Sequence, residues 1–232
     1  MEPKRLTIAL PKGKLFTPCI RLLRRVGLPW EGLLEDTRQL VFDYETIEPS
    51  GHVTRYIVCR PTDIPTFVEY GAADLGIVGK DTIVEDNKNV FELVDLKFGY
   101  CRFVVAVPES MVESGNLPNF SQARVATKFP RVAEAFFREK GIQVEIVKLH
   151  GNIELAPRVG LSDVIVDIVS TGRTLKDNQL VAVEEIFPAT ARLIANRASF
   201  RIKAEIIQPL QEKMREVAEK EDLEADEDIN QS

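Results

Sequence analysis

Histidine and cysteine are scarce in this chain of 232 residues, which holds 2 histidines and 3 cysteines. Neither His52 nor His150 has a metal-ligating neighbour in the sequence, and the cysteines lack the C-x-x-C spacing of zinc and redox sites. A zinc centre held by the protein and a Ser-His-Asp triad are therefore not expected. The cysteines, Cys19, Cys59 and Cys101, are expected to be reduced and buried, as small apolar residues are.

Long apolar runs are also missing. No stretch reaches the ~18 apolar residues that a membrane-spanning helix needs. The N-terminal segment goes into a strand-like run too short for a secretory signal. We therefore expect a cytoplasmic protein with no membrane partner.

An excess of positive charge is absent as well, because 36 acidic residues outnumber 30 Lys and Arg residues. Residues 210–232 hold nine acids and three bases, so this segment alone accounts for the formal net charge of −6. The rest of the chain is formally neutral and lacks the basic surface of a nucleic-acid-binding protein. No nucleic-acid partner is expected, and the segment from about Asp222 onward is expected to be disordered or highly mobile.

The chain does contain alternating strand-like and helix-like segments almost throughout. This pattern predicts an α/β fold with mainly parallel sheets and right-handed crossovers. The predicted strands are 5–10, 40–44, 56–59, 75–78, 101–107, 124–127, 144–149, 164–169 and 191–195; the main predicted helices are 15–26, 61–70, 131–140, 153–159 and 200–221.

The stretch from Asp163 to Asn178 carries the strongest functional pattern. Its first half is a short Val/Ile-rich strand that contains Asp167, and residues 170–174 follow as a polar loop with one glycine. A strand that feeds such a loop into a helix directs several backbone N–H groups at one point, which suits a phosphate. A carboxylate just before the loop suits sugar hydroxyls, so the stretch predicts a ribose-phosphate site. The loop by itself fits an ordinary strand-turn-helix equally well.

Polar residues follow other predicted strands at the position where α/β proteins bind ligands. Residues 12–14, 79–81 and 150–152 are polar loops of this kind. Glu154 begins a predicted helix 13 residues before Asp167, and both acids can project toward one opening. Two acids and a phosphate loop, faced by lysines, indicate a ribose-phosphate site more strongly together than any one of these features does alone.

Three parts of the sequence resemble the ATP phosphoribosyltransferase family, and the resemblance spans about residues 5 to 200. The matching segments are Ile8–Lys14, then Arg60–Pro65 with Ala73–Asp81, and finally Gly151–Pro157, Gly160–Asp163 and Asp167–Leu175. The resemblance implies two α/β lobes of the type II periplasmic-binding-protein kind with a cleft between them. Lobe I, on the ATP side, is expected to hold residues 1–98 and 185–200. Lobe II, on the phosphoribosyl pyrophosphate side, is expected to hold residues 99–184, and residues 201–232 form a C-terminal helix and acidic tail.

The family's reaction is the first step of histidine biosynthesis. N1 of the adenine of ATP attacks the anomeric carbon of 5-phosphoribosyl 1-pyrophosphate, which gives N1-(5-phosphoribosyl)-ATP and pyrophosphate. The resemblance therefore implies a glycosyltransferase that uses Mg²⁺ bound through the substrate rather than through a cluster of protein ligands. No general base is expected, because the attacking nitrogen bears no proton.

The resemblance also assigns residues. The expected phosphoribosyl pyrophosphate contacts are Glu154, Asp167, Ser170, Thr171, Gly172, Arg173 and Thr174. The expected ATP contacts are Lys12, Gly13, Lys14 and Gly79, and the expected catalytic residues are Lys14 and Arg38. Arg173 departs from the family, in which a small residue is common, so its backbone is assigned rather than its side chain. Lys12, Lys14 and Arg38 also fit ordinary solvated surface residues.

The C-terminal part resembles the short form of the family, since the sequence stops after one amphipathic helix and an acidic segment. The short form implies a separate regulatory subunit related to histidyl-tRNA synthetase, with this chain forming a homodimer within a hetero-oligomer. Histidine inhibition is then expected to require that subunit.

Two other functions fit parts of the pattern. A type I phosphoribosyltransferase also has an acid followed by a Thr-Gly-x-Thr loop, but two adjacent acids are usual there, and Ile168 and Val169 follow Asp167. A non-enzymatic small-molecule binder of the same two-lobed fold is the second alternative.

Overall fold

The structure is a computed structural model that describes residues 5–33, 38–45, 53–113 and 120–224. The strands in these residues are β1 Arg5–Pro11, β2 Val41–Glu45, β3 Val53–Cys59, β4 Leu75–Gly79, β5 Phe91–Asp95, β6 Cys101–Pro108, β7 Arg124–Thr127, β8 Glu145–Lys148, β9 Val164–Val169, β10 Leu180–Ala189 and β11 Ala191–Ala195. The helices are α1 Phe16–Val26, α2 Ile64–Glu69, α3 Lys80–Asp86, α4 Glu109–Glu113, α5 Pro130–Glu139, α6 Leu155–Arg158, α7 Arg173–Asp177, α8 Arg197–Ile202 and α9 Ala204–Lys220.

The chain divides into two compact units. Unit 1 holds Met1–Gly99 and Thr190–Ser232, and unit 2 holds Tyr100–Ala189. The return to unit 1 comes five residues later than the sequence analysis places it, because β10 stays paired with β6 as far as Ala189. The C-terminal helix α9 belongs to unit 1, where it packs on α1 and β5.

The sheet of unit 1 has the strand order β2-β3-β1-β4-β11-β5. Its central strand β1 is parallel to β3 and β4, and six of its seven residues are buried. Burial of both faces is typical of a parallel strand covered on each side. Leu6, Ile8 and Leu10 belong to the core that includes residues of α1 and α9, whereas Ala9 joins the smaller core formed with α2.

A buried carboxylate attaches the C-terminal helices to this sheet. Asp74 accepts hydrogen bonds from the backbone N of Thr7 at 2.8 Å, from Ser199 Oγ at 2.6 Å and from Lys203 Nζ at 2.7 Å. The side chain of Asp74 is only 7% exposed, so the ammonium group and the two hydrogen bonds compensate for the loss of hydration. The network joins β1 to α8 and to the start of α9.

The first residues of the acidic C-terminal segment are packed, contrary to the expectation of disorder from Asp222 onward. Leu223 is 4% exposed and belongs to the main core of unit 1. Its carbonyl oxygen accepts a hydrogen bond from Arg21 Nη1 at 3.0 Å, and the carboxylate of Glu224 accepts one from the backbone N of Gly99. The expectation was wrong for residues 222–224, because Leu223 is buried beside α1. Residues 225–232 lie outside the described residues.

The sheet of unit 2 has the strand order β10-β6-β9-β7-β8. β7 is parallel to β8 and β9, whereas β6 is antiparallel to β9 and β10. On one face, Val104, Ala126, Ile165 and Val169 form a core with residues of α6 and α7. The helices α6 and α7 therefore cover the sheet face next to the carboxyl ends of β8 and β9.

The predicted strands and helices all have counterparts, but several predictions need correction. Both sheets are mixed rather than mainly parallel, because β5, β6, β10 and β11 also form antiparallel pairs. The edge strand β5 and the helix α4 were not predicted, and the predicted helix 200–221 is divided at Lys203 into α8 and α9. The predicted turn at 49–51 lies outside the described residues. Cys19 and Cys101 are buried, whereas Cys59 is half-buried.

No helix in the described ranges is long and apolar enough to cross a membrane.

Gly76 of β4 provides a test of this packing. A Cβ atom at Gly76 would lie 2.7 Å from Cγ2 of Ile64 and 2.9 Å from Cγ2 of Val68, both in buried side chains of α2. We expect Gly76→Ala to lower the free energy of unfolding by ~1–3 kcal/mol, because the close-packed core must shift. Urea denaturation of Gly151→Ala serves as the control, since a Cβ there meets no atom within 4 Å. Equal losses in both variants would contradict the packing of α2 on β4.

Candidate functional site

The carboxyl ends of three parallel strands meet at one edge of the unit 2 sheet. Thr127, the last residue of β7, is paired with Lys148 of β8 and with Val166 of β9. The segments that follow these strands, residues 128–129, 149–154 and 170–174, therefore lie along the same edge. They contain the sequence-predicted Glu154 and the predicted phosphate loop.

The loop at residues 170–174 has the backbone geometry of a tight strand-to-helix turn. Gly172 has φ 79° and ψ −2°, a left-handed conformation that glycine adopts readily, and it immediately precedes α7. The backbone N–H groups in the first turn of α7 have no helical acceptors, as at any helix start. Ser170, Thr171 and Thr174 are exposed, so the loop is open to solvent.

Arg173 lies in this loop, but its side chain points along its own helix. The side chain is 87% exposed, and its Nε lies 3.6 Å from the carboxylate of Asp177 one turn later. The geometry thus offers the backbone of Arg173 to a ligand on the loop more directly than its guanidinium group.

Asp167 is a mostly buried acid at this edge of the sheet. It lies in β9, and its Oδ1 accepts a hydrogen bond from the backbone N of Ile168 at 2.8 Å. Burial raises the pKa of Asp167 from 3.8 to about 6, although the hydrogen bond from Ile168 opposes that rise. The negative charge of Glu154 raises this pKa further, and the positive charge of Lys128 lowers it.

The structure therefore brings the two predicted acids into electrostatic range of each other. Glu154 is half-buried and immediately precedes α6, and α6 packs on β9. Both carboxylates adjoin the sheet face that α6 and α7 cover. The expectation that Glu154 and Asp167 project toward one opening stays a prediction.

Lys128 is a residue of this edge that the sequence analysis missed. It follows β7 directly, is exposed, and its ammonium group lies 5.9 Å from the centre of the Phe129 ring. The signal that could have found it is its position: a charged residue directly after a predicted parallel strand, as with the other candidate residues.

The carboxyl edge of unit 1 holds the residues predicted to bind ATP. β1 is parallel to β3 and β4, so residues 12–14, 60–63 and 79–81 lie at the same end of the sheet. The backbone N of Lys12 donates to the carbonyl oxygen of Cys59 at 2.9 Å, and Gly13 has φ 85°. Lys12 is half-buried and Lys14 is exposed, so both ammonium groups can reach solvent.

Gly79 ends β4 at a position that leaves no room for a side chain. A Cβ atom at Gly79 would lie 2.0 Å from Oδ1 of Asp81, whose side chain folds back over the start of α3. The neighbouring Lys80 forms an ion pair with Glu92 of β5. Gly79 therefore allows an acidic side chain to occupy the start of the helix.

Arg38 is exposed and lies just before β2. The carbonyl oxygen of Leu40 accepts a hydrogen bond from the backbone N of Val58 at 2.9 Å. Because β2 is antiparallel to β3, its start lies near the carboxyl end of β3. Arg38 thus lies near the same edge of unit 1 as the 12–14 loop.

Comparison with known proteins relates this chain to one enzyme family. A family model named HisG and described as ATP phosphoribosyltransferase matches residues 60–216, which is more than half of the chain. An ATP phosphoribosyltransferase of Moorella thermoacetica is 64% identical over 201 residues, 85% of this chain and 86% of the relative. One of Desulfitobacterium hafniense is 57% identical over 218 residues, 91% of this chain and 96% of the relative.

Solved structures agree with the fold. An ATP phosphoribosyltransferase (HisG:HisZ) complex from Thermotoga maritima contains a chain that is 33% identical with a TM-score of 0.76, with coverage of 93% of this chain and 100% of that one. A protein solved with bound L-arginine shares only 14% identity at a TM-score of 0.59, over 94% of this chain and 87% of that one, and it supports the fold alone.

The two mixed α/β units define a protein of the type II periplasmic-binding-protein kind, and the matches define a phosphoribosyl-transferring enzyme. The chain belongs to the ATP phosphoribosyltransferase family. Its activity is the first step of histidine biosynthesis, and the comparisons decide against both alternatives, the type I phosphoribosyltransferase and the non-enzymatic binder.

The raised pKa of Asp167 makes the stability of the protein depend on pH. The native state holds a proton on Asp167 more tightly than the unfolded state does, so this group favours folding at low pH. That advantage is lost as the pH rises from about 4 to about 6. A shift of roughly two pKa units corresponds to at most ~3 kcal/mol.

We therefore expect Asp167→Asn, which cannot ionise, to be more stable than the wild type at pH 7 and to lose that advantage at pH 4. Urea denaturation at both pH values measures the difference. Asp177→Asn is the matched control, because the side chain of Asp177 is 63% exposed. The same pH dependence in both variants would contradict burial as the cause.

Proposed function

We propose that the carboxyl edge of unit 2 binds phosphoribosyl pyrophosphate. In this assignment the backbone and hydroxyl groups of residues 170–174 bind its 5-phosphate, and Asp167 and Glu154 accept hydrogen bonds from the ribose hydroxyls. The observation that supports it most strongly is the placement of two interacting carboxylates beside a solvent-open loop at the start of a helix.

The protonation state of Asp167 suits this role. With a pKa of about 6, Asp167 is mainly ionised at pH 7 and can accept two hydrogen bonds from a pair of hydroxyls. Its burial removes competing water, which strengthens hydrogen bonds to the carboxylate. The ribose can thereby be held with its anomeric carbon in a fixed orientation.

The carboxyl edge of unit 1 supplies the proposed ATP contacts. Lys12, Lys14 and the backbone of Gly13 and Gly79 bind ATP, and Lys14 and Arg38 stabilise the charge that develops on the leaving pyrophosphate. Cations placed at developing negative charge lower the barrier most when they are positioned beforehand. A proton acceptor is not required, because N1 of adenine attacks through a lone pair.

The family needs a divalent metal ion, and we propose that this ion is Mg²⁺. The described residues contain no group of three or more His, Cys, Asp or Glu side chains that could hold a metal. Mg²⁺ commonly binds through substrate phosphates and water with few protein ligands. We therefore assign the ion to the pyrophosphate of the substrate, where it would neutralise charge on the leaving group.

The proposed sugar contact can be tested by kinetics. Asp167→Asn should lower kcat/KM for phosphoribosyl pyrophosphate by about 10- to 150-fold, because a hydrogen bond to a charged group contributes ~1.5–3 kcal/mol. The KM for ATP should change far less. Pyrophosphate release measured at varied concentrations of each substrate gives both constants.

Asp177→Asn is the control for this test, since it removes an exposed carboxylate from the neighbouring helix. Wild-type kinetic constants in Asp167→Asn would contradict the assignment of Asp167 to the substrate site. If Asp167→Asn lowers kcat/KM for phosphoribosyl pyrophosphate and is also more stable than the wild type at pH 7, Asp167 is retained for binding rather than for folding.

We further propose that the chain forms a homodimer within a hetero-oligomer that contains a regulatory subunit related to histidyl-tRNA synthetase. The support is the similarity to a chain of the Thermotoga maritima HisG:HisZ complex, because the match covers 100% of that chain. Regulation by a distal ligand requires a second site and a coupling free energy between the two sites.

In this assignment the histidine site lies on the partner. Histidine should leave the turnover of the isolated chain unchanged, and it should inhibit once the regulatory subunit is added. A pyrophosphate-release assay titrated with histidine, with and without the partner, measures this. Potent inhibition of the isolated chain, noncompetitive with both substrates, would place the regulatory site in this chain instead.

A further inference from the structure

Lys128 is the one lysine of unit 2 that the strand register places next to Asp167. Thr127, the last residue of β7, is paired with Val166, so Lys128 follows the strand at the level of Asp167 in β9. Lys148 is paired with Thr127 itself and is therefore one position earlier. Because side chains alternate between the faces of a sheet, Lys148 points to the face opposite Asp167.

The ammonium group of Lys128 is not used by the fold. Among the described residues, it forms no ion pair and no hydrogen bond, and its close neighbour is the ring of Phe129. By contrast, Lys140 at the other end of α5 forms an ion pair with Glu184. A lysine without a structural partner whose charge lowers the pKa of Asp167 is placed to act on that carboxylate.

On α7, which covers the same sheet face as Asp167, Arg173 forms an ion pair with Asp177 and Lys176 is exposed. β6, β7 and α6 pack against β9. β6 places the apolar Val104 opposite Asp167, and its Arg102 forms an ion pair with Glu185 at 3.1 Å. Glu154, before α6, is negative and acts in the same direction as burial. Lys128, after β7, is thus the positive charge that opposes both effects.

We propose that Lys128 is a positioning residue for the phosphoribosyl substrate: it keeps Asp167 in the carboxylate form that the ribose hydroxyls require. This inference rests on the proposed binding of phosphoribosyl pyrophosphate by Asp167. It also explains how an edge with two acids accepts a substrate rich in phosphate, since the ammonium group offsets part of their charge.

The role predicts a specific dependence on pH. Removal of the positive charge should raise the pKa of Asp167, so the neutral acid would persist to higher pH. Because Lys128 is exposed and has the smallest of the four effects on this pKa, Lys128→Gln should increase the KM for phosphoribosyl pyrophosphate by about threefold at most near pH 6.5 and approach the wild-type KM near pH 9. The ionisation of the substrate's own phosphates affects both proteins equally and cancels in the comparison.

The experiment compares KM for phosphoribosyl pyrophosphate from pH 6 to pH 9 in the wild type, Lys128→Gln, Lys128→Arg and Lys148→Gln. Carbon-13 NMR of the Asp167 carboxyl group in the free proteins gives its pKa directly. We expect a higher pKa of Asp167 and a KM that falls more steeply with pH in Lys128→Gln than in the wild type, with Lys128→Arg restoring the wild-type behaviour because it keeps the charge. Lys148→Gln is the matched control, an exposed lysine on the opposite face.

An unchanged pKa of Asp167 in Lys128→Gln would overturn the inference, as would an increase in KM that is the same at every pH. Asp167→Asn, measured in parallel, separates the two claims. If Asp167→Asn increases KM while Lys128→Gln behaves as the wild type, only the role of Lys128 fails. If neither variant changes KM, the proposed binding of phosphoribosyl pyrophosphate by Asp167 fails with it.

Discussion

The parallel pairing of β7 with β8 and β9 determines which polar residues of unit 2 lie together. Through it, three chain segments that are far apart in sequence, residues 128–129, 149–154 and 170–174, reach one edge of the sheet. The pairing itself depends on burial, because Val125, Ala126 and Thr127 of β7 are covered on both faces. A shift of the register by one residue would turn Asp167 and its partners to opposite faces of the sheet.

The second constraint is the burial of a carboxylate. Asp167 carries a raised pKa because burial disfavours its ionised form, and none of the described residues forms an ion pair with it. Asp74 in unit 1 shows the structural solution, in which Lys203 and Ser199 satisfy a buried acid. A buried acid without such partners suits a site that a ligand completes, since the hydroxyls of a sugar can supply the missing donors.

The sequence allowed accurate prediction of features that depend on local pattern. The strand, glycine and helix around residues 164–177 follow from an apolar run and a glycine at a left-handed position, so the strand-loop-helix segment proposed to bind phosphate could be located. Lys128 was missed, because its relation to Asp167 depends on the register between β7 and β9 rather than on spacing. The edge strand β5 was missed because Glu92 and Asp95 interrupt its apolar pattern, and the burial of Leu223 depends on a distant helix, α1.

The central claim is that the carboxyl edge of unit 2 receives the phosphoribosyl substrate. Its most direct test is a titration of the complete chain with phosphoribosyl pyrophosphate and Mg²⁺ in the absence of ATP, followed by backbone amide NMR. We expect the largest chemical-shift changes at residues 167–174 and at Glu154, with the first turn of α7 affected more than α5. Changes concentrated instead at residues 12–14 and 79–81, with residues 167–174 unaffected, would contradict the assignment of the substrate to unit 2.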